Sequence, residues 1–265
     1  TNCEKEVIHK KIKKRKKGKK QQTVIIDSIE KRKAVLNASF LKAGITQQDI
    51  DNILSDKRIE IYYNIYEQKD SQQKKKRISY FDDEFGLFKP ESIESGKKLI
   101  TSNKETFEKI ENLYGVPANY ITAIIRIETD FNKHLGKYGV FNSLYTMSML
   151  SGRGKRVAMA NKELVIWVKM CRQKGIDPLD MKGSWAGAFG IPQFMPSSYT
   201  IFAVDYNGDG KIDLYDYPDS LPSIANFLRH MGWQTGNEKK MRRAVYRYNH
   251  EKAYVDAVFA YAGKI

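Results

Sequence analysis

Glu128 stands where chemistry could begin. Ile121, Ile124 and Ile125 recur at helical spacing, and position 128 is the next place on their stripe. A carboxylate on an apolar helix face is costly unless it is paired or protonated. Two readings follow. In the structural one, Glu128 sits at the stripe edge, snorkelling out or paired with a buried arginine. In the chemical one, apolar surroundings raise its pKa so that it holds a proton and can donate it. Asp130 lies two residues on, and on a helix it points elsewhere.

Three further segments carry reactive or ligating types. Gly183 to Tyr199 mixes glycines with aromatics, Ser184, Gln193 and hydroxyls. Glycine lets backbone approach closely, so the segment reads either as a groove for a neutral polar ligand such as a sugar or as a helix-packing seam. Asp205 to Asp216 places oxygen side chains Asp205, Asn207 and Asp209 at loop positions 1, 3 and 5, glycine at position 6 and Ile212 at position 8. That is the pattern of an EF-hand-like cation loop, against an alternative of an Asx-rich turn. Position 12 is Asp216 where Glu is usual, and its shorter reach weakens bidentate closure; Asp219 lies just beyond and could close an enlarged loop. A single such loop suits a structural clamp better than a sensor. Arg247-Tyr248-Asn249-His250 and Tyr254 offer stacking and hydroxyl bonding. His250 has no Ser or Cys partner signature, which disfavours a nucleophilic triad.

These residues need helices to position them. Val35, Leu36, Phe40 and Leu41 form one apolar set, ended by Gly44. Thr46 and Asp49 form a weak capping box ahead of Ile50, Ile53 and Leu54. Asp70 to Arg77 reads as a polar loop. Tyr80 to Phe88 reads as an aromatic packing arm, β-like or irregular, and Glu91 to Leu113 as helical. Gly115 and Pro117 punctuate the approach to Glu128, with Pro117 suited to a first helical turn. Leu164, Val165, Val168 and Cys171 give a helix from Lys162 to Lys174, stopped by Gly175 and Pro178. The last helices are expected from Ser220 to Trp233 and from Lys239 onward. The spans expected are a disordered basic arm over residues 1–22, a helical region over residues 23–100 and a core over residues 101–265 that carries Glu128.

The net charge of +15 points to an anionic partner: nucleic acid, lipid headgroups or an acidic polymer such as cell wall. Residues 1–22 hold +8 of it. No aromatics interleave with those cations and no binding module follows, so nucleic acid is disfavoured and loose attraction to an anionic membrane or wall is preferred. The chain has two cysteines, too few for a disulfide framework and without zinc spacing. Cys171 reads as a buried small hydrophobe. Cys3 admits two readings, an acylation site of a processed lipoprotein or an exposed thiol. No apolar run reaches the ~20 residues that span a bilayer.

Taken together, Tyr114-Gly115-Val116-Pro117, the run from Ala123 to Thr129, the run from Ala186 to Tyr199, the Asp205 loop, Ala225-Asn226 through Gly232-Trp233, and Tyr246-Arg247-Tyr248-Asn249 resemble the membrane-bound lytic murein transglycosylase B family, in order and spacing. The resemblance implies a mainly α fold: a lysozyme-like catalytic core with an added helical N-terminal region and one EF-hand-like calcium loop. It implies non-hydrolytic cleavage of the bond between N-acetylmuramic acid and N-acetylglucosamine in peptidoglycan, leaving 1,6-anhydromuramoyl ends. By position Glu128 matches the family's single acid/base. Ser184, Gln193, Phe194, Tyr248, Asn249 and Tyr254 match its substrate groove, with Phe227 where a groove tyrosine is often found. Asp205, Asn207, Asp209, Lys211 (through its carbonyl) and Asp219 match its calcium ligands, with Asp216 as an alternative. No role is carried onto Lys155 and Arg156, because the local spacing differs. No organic cofactor is implied. The expected partner is the glycan strand, the expected state a monomer, and the expected place the periplasmic side of a bacterial cell envelope. A hydrolytic muramidase and an inactive wall-binding protein are the alternatives.

Overall fold

The computed structural model describes residues 19–63 and 79–265, with side chains from residue 28 onward. The loop read from Asp70 to Arg77, Cys3 and most of the basic arm lie outside the described residues. The chain divides into two units, each built from two separate stretches. One comprises the described part of Thr1–Gln68 with Phe141–Met181; the other comprises the described part of Lys69–Val140 with Lys182–Ile265. The spans 23–100 and 101–265 are linear divisions, whereas each unit draws on both of them.

In the first unit, helix α1 (Lys19–Lys42) already takes in the last residues of the basic arm. It packs against α2 (Gln47–Leu54) and the long α7 (Gly154–Lys174), which follows α6 (Val140–Leu150). Thr46 caps α2 as its composition predicts: its hydroxyl accepts from the Asp49 amide and donates to the Asp49 carboxylate. Leu36, Phe40, Ile50, Leu164, Trp167 and Cys171 form the core, each no more than 2% exposed. Burial of side chains of this kind is worth about 1.5–3 kcal/mol each. It also pushes the Cys171 thiol up to about 12, so this cysteine is inert packing. Helix α7 begins eight residues before the Lys162 expected from its apolar period, because its first two turns are mostly exposed and rich in small residues that give no clear apolar stripe.

The second unit is organised on α5 (Ala118–Thr129), against which α3 (Pro90–Ser102), α4 (Lys104–Tyr114), α9 (Tyr217–His230) and α11 (Lys252–Ala262) all pack. Ile121, Ala123, Ile124 and Ile125 are wholly buried, so α5 is apolar on more than one side, as a central helix must be. Pro117 is the N-cap of α5, extended at φ −65° and ψ 147°, and therefore stands one residue before the helical turn expected for it. The helix read over Glu91 to Leu113 is two helices, α3 and α4, broken at Asn103.

Strands β1 (Tyr138–Gly139) and β2 (Lys182–Gly183) pair antiparallel, Tyr138 opposite Gly183 and Gly139 opposite Lys182. Bridges from Gly183 to Phe189 and from Phe189 to Phe194 continue that pairing into the glycine-rich segment. Glycine is required at Gly136, where φ is +92° and a Cβ would lie 2.1 Å from the Gly183 carbonyl oxygen. After α8 (Pro196–Phe202) and the Asp205 loop come α9, α10 (Glu238–Tyr248) and α11.

Candidate active site

Glu128 lies in the last turn of α5, half-buried. Tyr254, on α11, donates its hydroxyl to Glu128 Oε1 at 2.7 Å. Burial pushes the Glu128 pKa up to about 7, against the smaller opposing pull of the Tyr254 hydrogen bond. Burial, followed by the neighbouring Glu128 carboxylate, holds the phenols of Tyr254 and Tyr248 well above their ordinary range. Both phenols therefore remain protonated beside an acid that can itself keep a proton near neutrality. Among the described residues no cation pairs with Glu128. The arginine two positions earlier is buried but turned elsewhere: Arg126 donates to Ser92 Oγ at 2.6 Å and to the carbonyls of Phe85 and Gly86 at 3.0 and 2.9 Å. Asp130 faces Arg126 and Lys133 at 3.3 and 3.2 Å.

Tyr248 stacks nearly parallel to Tyr254, with ring centroids 6.4 Å apart and planes at 8°, and its hydroxyl donates to the Pro192 carbonyl at 2.6 Å. Phe227 meets the Tyr248 ring at 4.8 Å, and Phe194 meets it at 5.9 Å. Phe194 and Phe227 are only 3% and 7% exposed, so they back the tyrosine wall more than they offer free surface. Asn249 ends α10, half-buried, and its side chain is unpartnered among the described residues.

Gln193 stands at φ +49°, a strained position for a residue with a side chain. Its amide group donates to Gly190 O at 2.8 Å and to Leu135 O at 3.3 Å, and its side-chain oxygen is unpartnered among the described residues. The Ser184 hydroxyl accepts from the amides of Ala188 and Ala186 at 3.1 and 3.3 Å, closing a turn. The structure thus gathers Glu128, Tyr254, Tyr248, Phe194 and Phe227 into one continuous set of contacts. Gln193 adjoins it through Phe194, Asn249 through Tyr248, and Ser184 through the bridged segment. Tyr80, assigned only to packing by the sequence, also reaches this set: its ring meets that of Tyr254 edge-on at 6.0 Å.

In the Asp205 loop, Asp205 accepts from the Gly208 and Gly210 amides, both at 2.8 Å. Asn207 and Asp209 accept from the amides two residues on, at 3.0 and 2.8 Å. Asp219, 2% exposed, joins the two ends of the loop by accepting from Tyr206 and Asp213 amides at 3.0 and 2.8 Å. Asp216 instead caps α9, accepting from the Tyr217 amide. Among the described residues no three acidic, histidine or cysteine side chains converge as a metal cluster. The donor set Asp205, Asn207, Asp209, Asp219 and the Lys211 carbonyl is all hard oxygen, the type that suits calcium, and its carboxylates are taken up here by loop amides.

The model of the transglycosylase SLT domain matches residues 28–245 of this chain. The chain belongs to the transglycosylase SLT domain family. Among relatives of this SLT chain, membrane-bound lytic murein transglycosylase B of Escherichia coli (strain K12) is 37% identical over 149 residues. That alignment spans 56% of this chain and 41% of the relative's length. The lytic transglycosylase SLT35 of E. coli, solved in complex with calcium, matches with a TM-score of 0.76 at 23% identity, over 88% of this chain and 91% of that one. SltB3 of Pseudomonas aeruginosa, solved in complex with NAG-NAM-pentapeptide, matches with a TM-score of 0.77 at 22% identity, over 88% and 78%. The SLT fold of this chain is therefore the mainly helical, lysozyme-like one that its motifs imply.

Proposed function

We propose that this chain is a peptidoglycan lytic transglycosylase. Its substrate is the β-1,4 bond between N-acetylmuramic acid and N-acetylglucosamine, and Glu128 is its single acid/base. The observation that carries this reading is the environment of Glu128: a carboxyl pushed up to about 7 by burial, with a phenol on Oε1 and no cation beside it among the described residues. Such a group is protonated when substrate arrives. It gives its proton to the leaving glycosidic oxygen as the bond to the anomeric carbon breaks. The substrate's own N-acetyl oxygen stabilises the developing cation. Glu128, now a carboxylate held by Tyr254, takes the proton of the muramoyl C6 hydroxyl, whose oxygen closes on the anomeric carbon. The proton is returned to Glu128 and no water is consumed. A second catalytic carboxylate is unnecessary, in contrast to glycosidases that hydrolyse through a pair.

Tyr248, Asn249, Gln193, Phe194, Phe227 and Ser184 are assigned to the substrate groove, with Asn249 and the Gln193 side-chain oxygen as hydrogen-bonding groups. Calcium is assigned to Asp205, Asn207, Asp209, the Lys211 carbonyl and Asp219, as a structural clamp; the complex reported for SLT35 supports this. The envelope location, the Cys3 anchor and the contact of the basic arm with an anionic membrane or wall belong to the same proposal. Among the described residues no helix is long and apolar enough to cross a membrane.

The test is digestion of purified sacculi followed by mass spectrometry. Anhydro ends support the reading, reducing ends alone identify a hydrolytic muramidase, and binding without turnover identifies a wall-binding protein. A Glu128→Gln protein with full activity removes the assigned role. For the clamp, calcium raises the thermal midpoint of the native chain and leaves that of Asp205→Asn unmoved; equal shifts in both count against the site.

A further inference from the structure

Tyr80 stands in the irregular arm that leads into α3, half-buried and one step removed from Glu128. Three of its contacts bear on the site. Its ring meets Tyr254 edge-on, at 6.0 Å and 79°. It meets Phe85 edge-on at 5.3 Å and 90°. Its hydroxyl donates to Glu251 Oε2 at 3.2 Å. Glu251 is the N-cap residue of α11, and Tyr254 follows on the first turn of that helix. Tyr80 therefore grips both the start of α11 and the side chain that α11 delivers to Glu128.

The arm is itself fixed to the helix of Glu128. Arg126, on α5, donates to the carbonyls of Phe85 and Gly86, and its guanidinium lies 5.2 Å from the Phe85 ring centroid. The contacts close on themselves: α5 holds the arm through Arg126, the arm holds Tyr254 through Tyr80, and Tyr254 holds Glu128 on α5. A closed set of this kind fixes a hydroxyl more tightly than α11 packing alone, because the Tyr254 ring is bounded by Tyr248 stacked beside it and Tyr80 at its edge.

We propose that Tyr80 is a positioning residue for the reaction, acting through Tyr254 to hold its hydroxyl on Glu128 Oε1. This rests on the reading of Glu128 as the acid/base. The titratable groups that face Glu128 are Tyr254 from α11 and Tyr248 from α10; Tyr80 and Glu251 stand behind Tyr254. A hydrogen bond from Tyr254 favours the carboxylate form of Glu128. Loosening it leaves the acid more firmly protonated and less well aimed.

The experiment compares Tyr80→Ala and Tyr80→Phe with the native full chain, on soluble peptidoglycan fragments across a pH series. Tyr80→Ala lowers kcat ~10-fold while KM moves less than ~2-fold, the scale of loss expected when a reacting group is displaced by under an ångström. The alkaline limb of its kcat profile moves to higher pH, which general loosening of the fold does not produce. Tyr80→Phe keeps the ring edge and recovers most of the rate. In a Tyr254→Phe background, Tyr80→Ala adds no further loss, because the group it acts through is gone. If Tyr80→Ala does not fold, Tyr80→Leu keeps the bulk and carries the same expectation. An unmoved alkaline limb, or an equal loss with and without the Tyr254 hydroxyl, overturns the proposal. Glu128→Gln, assayed alongside, separates the two ideas. Turnover by Glu128→Gln removes the acid/base reading; no turnover there with unaffected Tyr80 variants removes only the positioning role.

Discussion

Replacing Glu128 by glutamine should stabilise this protein, and more so as pH rises. The carboxyl ordinarily titrates at 4.5 and is pushed up to about 7 in the folded chain. Below pH 4.5 the group is neutral in both folded and unfolded states and contributes nothing to the difference. Between the two values the unfolded chain has released its proton and the folded chain has not. The folded state then binds more protons, so stability falls as pH increases. Above pH 7 the loss is complete. A shift of this size corresponds to about 3 kcal/mol at most, and the partial exposure of the side chain trims it to about 2–3 kcal/mol. Glutamine keeps the shape and an acceptor for Tyr254 but never ionises. Glu128→Gln should therefore match the native melting temperature at pH 4 and exceed it by roughly 5–10 °C at pH 8. Scanning calorimetry across that range, without ligand, reads the difference directly. A gap that stays flat with pH, or a native protein that gains on the variant between pH 4.5 and 7, would refute the account of Glu128 as a desolvated, unpaired acid.

Three other perturbations follow from the same contacts. Tyr254→Phe removes the hydroxyl 2.7 Å from Glu128 Oε1; the alkaline limb of activity should move to higher pH and kcat should fall, seen in a pH–rate series. Arg126→Met takes away the donors that serve Ser92, Phe85 and Gly86 inside the core, and should lower stability to denaturant by about 3 kcal/mol or more. Gly136→Ala places a Cβ against the Gly183 backbone at a φ of +92°, and should cost at least about 2 kcal/mol by urea titration, with activity reduced because Ser184 follows that contact.

What the sequence made legible was local. The isoleucine stripe located Glu128, the Thr46–Asp49 box located the start of α2, and Gly175 located the end of α7 at φ 65°. Where only an apolar period was available, boundaries slipped: α9 starts at Tyr217, three residues before the expected Ser220, because its first turn holds Pro218 and Asp219 in place of apolar residues. The division into units was not legible at all. An amphipathic helix announces that it will be covered but not by which stretch, so nothing in α7 says that it will join α1.

The distinction matters most at Glu128, where periodicity alone left two outcomes open. A carboxylate on an apolar stripe could have paired with a buried arginine. It does not: the arginine nearest in sequence, Arg126, lies two residues away and so faces another side of the helix, where it is committed to Ser92, Asp130 and two carbonyls of the arm. The same arm then places Tyr80 against Tyr254, whose hydroxyl reaches Glu128 from 126 residues away. The arm is thus tied to the acid from two sides. Arg126, on the helix of Glu128, holds it through the carbonyls of Phe85 and Gly86. Tyr80 in turn meets the ring of Tyr254, the neutral donor on Glu128 Oε1. On the proposed role, in which Glu128 gives a proton and then takes one back, a neutral donor steadies the carboxylate without making it permanent.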